Sequence, residues 1–497
     1  SAFGTGVLGL FVYMVIAGSV HPVILVLLFV LSVIGALCNS LPDWYENKIR
    51  DENAKDEMTM QYIDRLSDDA VRGKDIRVFG LKNWIIGKYG NAIRNTRRRN
   101  AKKNSIAFAG KALETGCAYA VIDESEYAIE GDQRYILVDD CLQTMQQLAN
   151  YHRRQLGTRV IGITGTNGKT TTKELISSVL CQAHNVLYTL GNLNNHIGVP
   201  TTLLRLKPEH DLAVIEMGAN HPGEIKFLCE IAEPDYGIIT NVGKAHLEGF
   251  GSFEGVIKTK GELYDFLRKK DAITFIHHDN PYLMNISQGL NLISYGTEDD
   301  LYVNGRITGN SPYLAFEWKA GKDGEAHQVC TQLIGEYNFP NALAAITIGR
   351  FFGVETKKID KALAEYTPQN NRSQLKKTEN NTLIIDAYNA NPTSMMAALQ
   401  NFRNMTVPHK MLILGDMREL GADSPAEHQK IVDYIKESNF EKVWLVGEQF
   451  AASEHSFKTY ANVQEVIKDL QEDKPKGYTI LIKGSNGIKL SSTVEFL

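Results

Sequence analysis

The sequence predicts an α/β fold in which parallel sheets carry helices on both faces. From Thr158 onward, short apolar segments alternate with segments of helical pattern, and this alternation is typical of parallel sheets. The first strand, Val160–Ile163, leads into a glycine-rich turn, and a helix is predicted after it through Lys173–Leu180. The other strands predicted in this part of the chain are Leu212–Glu216, Tyr236–Thr240, Thr382–Asp386, Lys410–Leu414, Lys442–Val446 and Tyr478–Lys483.

The length of 497 residues predicts several domains, because single hydrophobic cores seldom grow beyond roughly 250–300 residues. Proline, asparagine and serine cluster at Tyr366–Gln374, which predicts a linker there. Before the first parallel strand, a small α/β piece is predicted from a helix at Ala107–Leu113 and strands at Ala118–Ile122 and Tyr135–Val138. We therefore expect a helical segment, a partial small domain, a central domain and a C-terminal domain, at residues 1–103, 104–156, 157–366 and 367–497.

The overall composition is that of an ordinary globular protein, with 43% apolar and 22% charged residues. The net charge of −5 is not the excess of basic residues that is typical of nucleic-acid-binding proteins, so no nucleic-acid partner is expected. The six cysteines include no Cys-x-x-Cys pair. This scatter favours a reducing cytoplasm and argues against a disulfide framework or a zinc site.

The first part of the chain departs from this average. Residues 6–38 are apolar and almost uncharged, with a polar break at Ser19–Pro22. The halves Val7–Ile16 and Val23–Leu37 each fall short of the roughly 20 residues that span a bilayer. The pattern predicts two partial spans or one kinked span, and hence a membrane contact through residues 6–38. A signal peptide and a buried hairpin are the alternatives. A charged, mostly helical stretch follows at residues 43–103.

A phosphate-binding loop is predicted between the first parallel strand and its helix. The residues Gly165-Thr166-Asn167-Gly168-Lys169-Thr170 follow the strand directly. In this context backbone N–H groups cradle phosphate oxygens, a lysine reaches the β- and γ-phosphates, and a threonine hydroxyl binds Mg²⁺. The position at which the common Walker pattern has a glycine is occupied by Ile163, so the loop is a variant. It indicates a nucleotide phosphate and leaves the reaction open.

The variant loop resembles that of the Mur ligase family, which includes folylpolyglutamate synthase. Further motifs resemble those of the family, in order, over about residues 105–497. They are Asn194–Pro200, Glu216–Asn220, Thr240–Glu248, Lys258–Glu262, Asn338–Ala345, Asp386–Pro392, Leu414–Gly421 and Lys483–Gly487.

This resemblance implies a central ATP-binding domain with a parallel sheet, a Rossmann-like C-terminal domain and a truncated small α/β N-terminal domain. It also implies an ATP-dependent amide ligase that works through an acyl phosphate. The last three motifs are most similar to those of the member that adds D-alanyl-D-alanine to UDP-N-acetylmuramoyl-tripeptide. A ligase of the same family that adds an amino acid, or one like folylpolyglutamate synthase, is an alternative. A membrane transport component is the alternative from a different class, and it depends on residues 1–103.

The resemblance also implies roles for individual residues. The catalytic set is Lys169, Lys260, His246 and Arg372. ATP would contact Gly165, Thr166, Asn167, Gly168, Lys169, Thr170, Thr171, Asn338, Asn341, Arg372, Asp386 and Asn389. The other substrates would contact Asn194, Asn195, His196 and Asn391. Two Mg²⁺ ions are expected, with the ligands Thr170, Glu216, His246 and a carbamylated Lys260.

Ordinary structural roles are the alternatives for several of these residues. Lys260 and Arg372 would then be surface residues, because lysine and arginine are mostly exposed. Glu216 would cap a helix, and His246 would be a loop histidine with satisfied hydrogen bonds. The asparagines Asn338 and Asn341 would cap the helix that follows them.

Residues 1–103 resemble a fragment of the transmembrane domain of an ABC exporter. The likeness lies in Tyr62–Leu66 and Gly73–Leu81, and no exporter ATPase signature follows. The family's Asp-Ser-Arg type motif, which would contact uridine diphosphate, is absent from this chain. Either the sequence is joined near Asn104–Ala107, which we favour, or a real fusion tethers the ligase to the membrane.

The missing motif predicts weakened binding of the UDP-sugar substrate with ATP binding retained. The measurement compares the affinity of this chain for each substrate with that of a ligase that has a complete first domain. Equal UDP-sugar affinities in the two proteins would contradict the prediction.

Overall fold

The structure, a computed structural model, describes residues 109–368 and 372–497. The chain forms two compact units, Ser1–Thr144 and Met145–Leu497. The predictions for residues 1–103, including the apolar spans and the exporter likeness, lie outside the described residues. Among the residues that are described, no helix is long and apolar enough to cross a membrane.

The described part of the first unit is a small α/β piece. Residues 109–114 are helical, and the strands β1 (Ala120–Ile122) and β2 (Tyr135–Leu137) form a parallel pair in which Ile122 lies opposite Leu137. Both strands were predicted, with ends that differ by one or two residues. The helix α1 (Cys141–Leu156) follows along the chain.

The central part of the second unit is built on a nine-stranded sheet. Its strands are β3 (Arg159–Thr164), β4 (Val186–Tyr188), β5 (Leu212–Glu216), β6 (Tyr236–Ile239), β7 (Ile273–His277), β8 (Asn291–Gly296), β9 (Val303–Asn310), β10 (Leu314–Lys319) and β11 (His327–Cys330). Across the sheet the strand order is β11-β10-β9-β8-β7-β6-β3-β5-β4, and in this order every neighbouring pair between β9 and β4 is parallel. Its helices are α2 (Lys169–Leu180), α3 (Gly198–Leu203), α4 (Glu224–Ala232), α5 (Leu247–Phe250), α6 (Phe253–Lys269), α7 (Pro281–Asn285), α8 (Phe339–Phe351) and α9 (Thr356–Glu365).

The strand β3 lies inside this sheet and is buried on both faces. Ile161 and Ile163 pack into one hydrophobic cluster, with α2 and α8, whereas Val160 packs into a second cluster on the other face, with α4 and α6. A strand covered on both faces is apolar at successive positions, which is why Val160–Ile163 could be predicted from the sequence.

The C-terminal part is built on a six-stranded sheet. Its strands are β12 (Gln374–Lys377), β13 (Thr382–Asp386), β14 (Lys410–Gly415), β15 (Lys442–Val446), β16 (Lys458–Tyr460) and β17 (Thr479–Lys483). The strand order is β12-β13-β17-β14-β15-β16, and all neighbours except β12 and β13 are parallel. Its helices are α10 (Pro392–Asn404), α11 (Ser424–Lys436), α12 (Glu448–Ala451) and α13 (Val463–Glu472).

The expectation of parallel sheets is wrong at two edges. The strands β9, β10 and β11 form an antiparallel meander, and β12 pairs antiparallel with β13. In β10 buried and partly exposed residues alternate, because one face of the strand packs on the core and the other is open. Such strands lack the continuous apolar run by which the parallel strands were identified. The helix after the phosphate loop also begins earlier than predicted, at Lys169.

A close helix contact in the central part gives a stability prediction. A Cβ atom at Gly349 of α8 would lie 2.3 Å from Cγ1 of Val179 in α2. We expect Gly349→Ala to lower the free energy of unfolding by about 1–3 kcal/mol, as overpacking does. At Gly261 in α6 the nearest atom would be 3.4 Å away, so Gly261→Ala is the control. Urea denaturation measures both variants, and a Gly349→Ala protein as stable as the control would contradict the prediction.

Candidate active site

The loop after β3 is held in place by the end of the neighbouring strand β6. The N–H groups of Thr166 and Asn167 donate to the backbone and side-chain oxygens of Asn241, at 2.9 and 3.0 Å. The Thr240 hydroxyl donates to the Asn167 carbonyl at 2.7 Å. Gly165 has a φ of 144°, and a Cβ atom there would lie 2.0 Å from Oγ1 of Thr240. The backbone can approach β6 this closely because position 165 carries no side chain.

Lys169 begins the helix α2 and folds back over the loop. Its Nζ donates to the carbonyl oxygens of Gly165 and Thr166, at 2.8 and 3.1 Å. Burial lowers the pKa of this amine, and the Arg372 charge acts in the same direction, whereas Glu216 opposes it. An anionic phosphate would supply a counter-charge at this position.

A cavity of about 970 Å³ opens in front of the loop. It is lined by the carboxyl ends of central strands on one side and by residues of the C-terminal part on the other. The predicted residues on its wall are Thr166, Asn167, Gly168, Lys169, Thr170, Thr171, Asn194, Asn195, His196, Glu216, His246, Asn338, Asn341, Arg372, Asp386 and Asn389. Gly165, Lys260 and Asn391 do not line it.

Glu216 ends β5 and is 1% exposed. Its Oε1 accepts hydrogen bonds from the Thr170 hydroxyl at 3.2 Å and from the Asn194 amide at 2.9 Å. Its Oε2 is buried and has no hydrogen-bond partner. Buried polar atoms normally have a partner, and a free carboxylate oxygen beside a threonine hydroxyl fits a divalent cation. The donor set therefore fits Mg²⁺ at Thr170 and Glu216.

His246 is half-buried and has a positive φ of 51°. Burial lowers its pKa, which favours the neutral ring, and its Nδ1 pairs with the carboxylate of Glu419. Because an ionised carboxylate only accepts, Nδ1 carries the proton and Nε2 keeps its lone pair. Metal-binding histidines commonly donate their other N–H to a carboxylate in this way. The orientation of His246 thus fits the role of a ligand.

Lys260 lies on α6 and is 2% exposed, which excludes the surface role that was its alternative. Its Nζ donates to the Ala219 carbonyl at 3.2 Å and lies 5.1 Å from the centre of the Phe250 ring. Burial, with a further contribution from Lys169, lowers its pKa well below the usual value. Carbamylation requires a neutral amine, and this environment favours one.

Asn338 and Asn341 form a buried chain of amides under the loop. The Asn338 side chain donates to the Ile334 carbonyl at 2.8 Å and accepts from Asn341 at 3.0 Å. Asn341 in turn accepts from the Thr172 hydroxyl at 3.1 Å. The Asn338 side chain makes no capping hydrogen bond to α8. The two amides connect the start of α8 to the start of α2.

Two charged residues of the C-terminal part face the loop across the cavity. The Arg372 guanidinium lies 3.8 Å from the centre of the Tyr388 ring, and the Asp386 carboxylate pairs with Lys483. Lys483 ends β17, is 2% exposed and lines the cavity.

Asn391 serves as a structural link. Its Nδ2 donates to Oδ1 of Asn167 at 2.8 Å, and its Oδ1 caps α10 by accepting from the Ser394 N–H at 2.9 Å. Asn195 likewise uses its side chain to accept from the N–H of Gly198 at 2.8 Å, at the start of α3.

Comparisons with known proteins agree with this geometry. Residues 163–349 match the Mur ligase middle domain, and residues 371–486 match the domain described as Mur ligase, glutamate ligase domain. The chain is 36% identical over 403 residues to UDP-N-acetylmuramoyl-tripeptide--D-alanyl-D-alanine ligase of Bacillus subtilis, covering 79% of this chain and 87% of that protein. The chain belongs to the Mur ligase family.

Other members of the family are similar over the same extent. The Escherichia coli ligase of the same name is 34% identical, with 78% of this chain and 87% of that protein covered. A MurF crystal structure from Acinetobacter baumannii has a TM-score of 0.70 at 29% identity and covers 78% of this chain and 87% of that one. MurF ligase from Thermotoga maritima, solved in complex with ADP, has a TM-score of 0.69 at 25% identity, with coverages of 78% and 90%. Neither matched domain extends into residues 1–103.

Two residues of the cavity wall have no role predicted from the sequence. Lys483 stands in the motif Lys483–Gly487, and its position in the cavity depends on the tertiary fold, because its partner Asp386 lies on another strand. Tyr388 stood inside another quoted motif, and its contact with Arg372 depends on the tertiary fold.

The described residues include no group of three or more histidine, cysteine, aspartate or glutamate side chains placed to hold a metal. A magnesium site at Glu216 and Thr170 would therefore be completed by phosphate and water oxygens, which suit Mg²⁺.

Glu216→Gln tests this site. The variant keeps an oxygen for Thr170 and Asn194 but loses the charge that would hold Mg²⁺. We expect the Mg²⁺ concentration for half-maximal ATP consumption to rise about tenfold or more, while metal-free ADP binding stays unchanged. Glu254→Gln, at an exposed site on α6, is the control. An unchanged Mg²⁺ requirement would exclude Glu216 as a ligand.

Proposed function

We propose that this chain is an ATP-dependent amide ligase that joins D-alanyl-D-alanine to the carboxylate of UDP-N-acetylmuramoyl-tripeptide. The observation that carries the proposal is the 970 Å³ cavity, which combines the phosphate loop with charged residues from the C-terminal part. The Bacillus subtilis and Escherichia coli relatives are named for this reaction, and the Thermotoga maritima structure contains ADP.

The reaction brings two anions together, and the cavity supplies the opposing charge. The substrate carboxylate attacks the γ-phosphorus of ATP, ADP leaves, and an acyl phosphate forms. The loop N–H groups, Lys169 and Arg372 would stabilise the charge on the γ-phosphate oxygens during this transfer. The amine of the dipeptide then attacks the acyl carbon, and phosphate leaves with the electrons of the broken C–O bond.

We assign Thr170, Glu216 and His246 to one Mg²⁺ and a carbamylated Lys260 to a second. When bound, these ions would neutralise charge on the phosphate oxygens. Asn338 and Asn341 are assigned to the adenine side, where they also support the loop, and Asp386 and Asn389 to the nucleotide from the C-terminal side. Asn194, Asn195, His196 and Asn391 are assigned to the other substrates, the first three on the wall of this cavity.

The domain division at 104–156, 157–366 and 367–497 belongs to the same proposal. With the phosphate loop in one domain and Arg372 in the next, substrate binding would bring both domains around the acyl phosphate and exclude water. The chain is assigned to a reducing cytoplasm, because its six cysteines are scattered and include no Cys-x-x-Cys pair.

Phosphate release from ATP tests the proposal directly. We expect release that depends strictly on both UDP-N-acetylmuramoyl-tripeptide and D-alanyl-D-alanine, because the acyl phosphate requires one and its capture requires the other. Release with D-glutamate or meso-diaminopimelate in place of the dipeptide would instead indicate a ligase that adds an amino acid.

A further inference from the structure

The wall of the main cavity continues past Glu216 into the first turn of α4, whose side chains the proposed mechanism does not use. Glu224 and Phe227, both on α4, lie on this part of the wall. The two residues are three positions apart on a helix, so their side chains are neighbours on its surface. A carboxylate and an aromatic ring therefore stand side by side in the cavity.

Glu224 presents an anion with one oxygen available. Its Oε2 accepts from the N–H groups of Asn220 and His221, at 2.7 and 3.0 Å. Its Oε1 accepts no hydrogen bond from the described residues, and the nearest basic atom among them, Nδ1 of His221, lies 3.7 Å away. Partial burial opposes ionisation of Glu224, but the two N–H groups hold its pKa below the usual value. A charged oxygen that lacks a donor fits an ammonium group.

The helix turn that carries Glu224 is fixed from the neighbouring helix α6. The Glu262 carboxylate on α6 accepts from the N–H groups of Gly223 and Lys226, at 2.7 and 2.8 Å. With its own Oε2 held by two backbone groups, the Glu224 side chain is already ordered before a ligand arrives. Binding to an ordered side chain costs less conformational entropy than binding to a free one.

Phe227 adds an apolar surface next to this carboxylate. Its side chain is 42% exposed although it lies on a cavity wall. An aromatic ring that is open to water gains free energy when methylene groups cover it. Lysine-like side chains combine an apolar stem with a terminal ammonium group, so they match the ring and the carboxylate together.

Glu224 also lies near the place where the substrate carboxylate would react. Burial acts most strongly on the pKa values of Glu224 and Lys260, and beyond that effect the charge of each shifts the pKa of the other towards the ionised form. Ala219, whose carbonyl accepts from Nζ of Lys260 at 3.2 Å, lies on the same stretch of wall. The proposed function assigns Lys260 to a Mg²⁺ that binds phosphate oxygens. The amino acid whose carboxylate attacks the γ-phosphorus would then lie next to this wall.

We propose that Glu224 and Phe227 bind the side chain of the third residue of the tripeptide and select one that ends in an ammonium group. The ammonium group pairs with Oε1 of Glu224, and the methylene groups of the stem pack on the Phe227 ring. This inference rests on the proposed function and names the chemical class of the residue that bears the reacting carboxylate.

Two forms of UDP-N-acetylmuramoyl-tripeptide test the inference, one with L-lysine and one with L-norleucine at the third position. Norleucine keeps the four-carbon stem and lacks the amine. Calorimetric titration of the full chain, with a non-hydrolysable ATP analogue present throughout, gives the Kd of each form. We expect the lysine form to bind about 5- to 30-fold more tightly, the range for a partly exposed charge-assisted hydrogen bond. Contacts to the UDP group do not affect this ratio, because the two forms share them.

Three variants separate the carboxylate from the ring. Glu224→Gln should weaken the lysine form by that factor and leave the norleucine form within about twofold, because glutamine keeps an oxygen for the two N–H groups and loses the charge. Phe227→Ala should weaken both forms by a similar factor, because both present the same stem to the ring. Glu230→Gln, at an exposed site on the same helix and outside the cavity, is the control and should bind both forms as the unaltered chain does.

Equal affinity of the unaltered chain for the two forms, or a lysine preference that survives in Glu224→Gln, would overturn the inference. An equal loss of affinity for both forms in Glu224→Gln would also overturn it, because Glu224 would then only support the loop. Phosphate release from ATP with the lysine form and D-alanyl-D-alanine is measured in parallel, so a failure of the proposed function is seen separately.

Discussion

Two lysines and a glutamate are buried near the carboxyl ends of the central strands, and neighbouring groups neutralise their charges only in part. Burial of an unpaired charge costs several kcal/mol, so such groups tend to lose their charge or acquire a partner. Here burial lowers the pKa of both Lys169 and Lys260, and backbone carbonyls accept from each amine. Glu216 keeps one oxygen without a partner. A nucleotide phosphate with Mg²⁺ would complete these interactions, so binding it would stabilise the folded chain.

Neighbouring residues tie the two halves of the second unit together. The Asn167 side chain, on the phosphate loop, exchanges hydrogen bonds with Asn391, and Lys244 pairs with Glu427 at 2.9 Å. A change in how the halves approach would therefore alter the loop that holds phosphate. Ligand binding and the arrangement of the two halves both depend on these contacts, and the contacts therefore couple them.

The sequence made the phosphate loop and the buried parallel strands predictable, because a loop of fixed spacing and continuous apolar runs are local signals. Leu212–Glu216, Thr382–Asp386 and Lys442–Val446 have the predicted bounds. The antiparallel strands at the sheet edges carry a weaker, alternating pattern and were missed. Local pattern also could not show that Lys260 is buried, since lysine is usually exposed and its burial follows from packing beside Phe250. The pairing of Lys483 with Asp386 likewise depends on two strands far apart in the sequence.

The described part of the first unit differs energetically from the ATP-binding half. Its described sheet has two short strands, and such a pair is marginal by itself. Tyr119 and Leu137 are 62% and 59% exposed, whereas the strands around the phosphate loop are buried on both faces. The nucleotide site therefore draws its rigidity from cores that do not include this sheet. Contacts to a distant UDP group would contribute binding energy without touching the reacting atoms, so their loss would act mainly on substrate affinity and on how precisely the carboxylate is positioned.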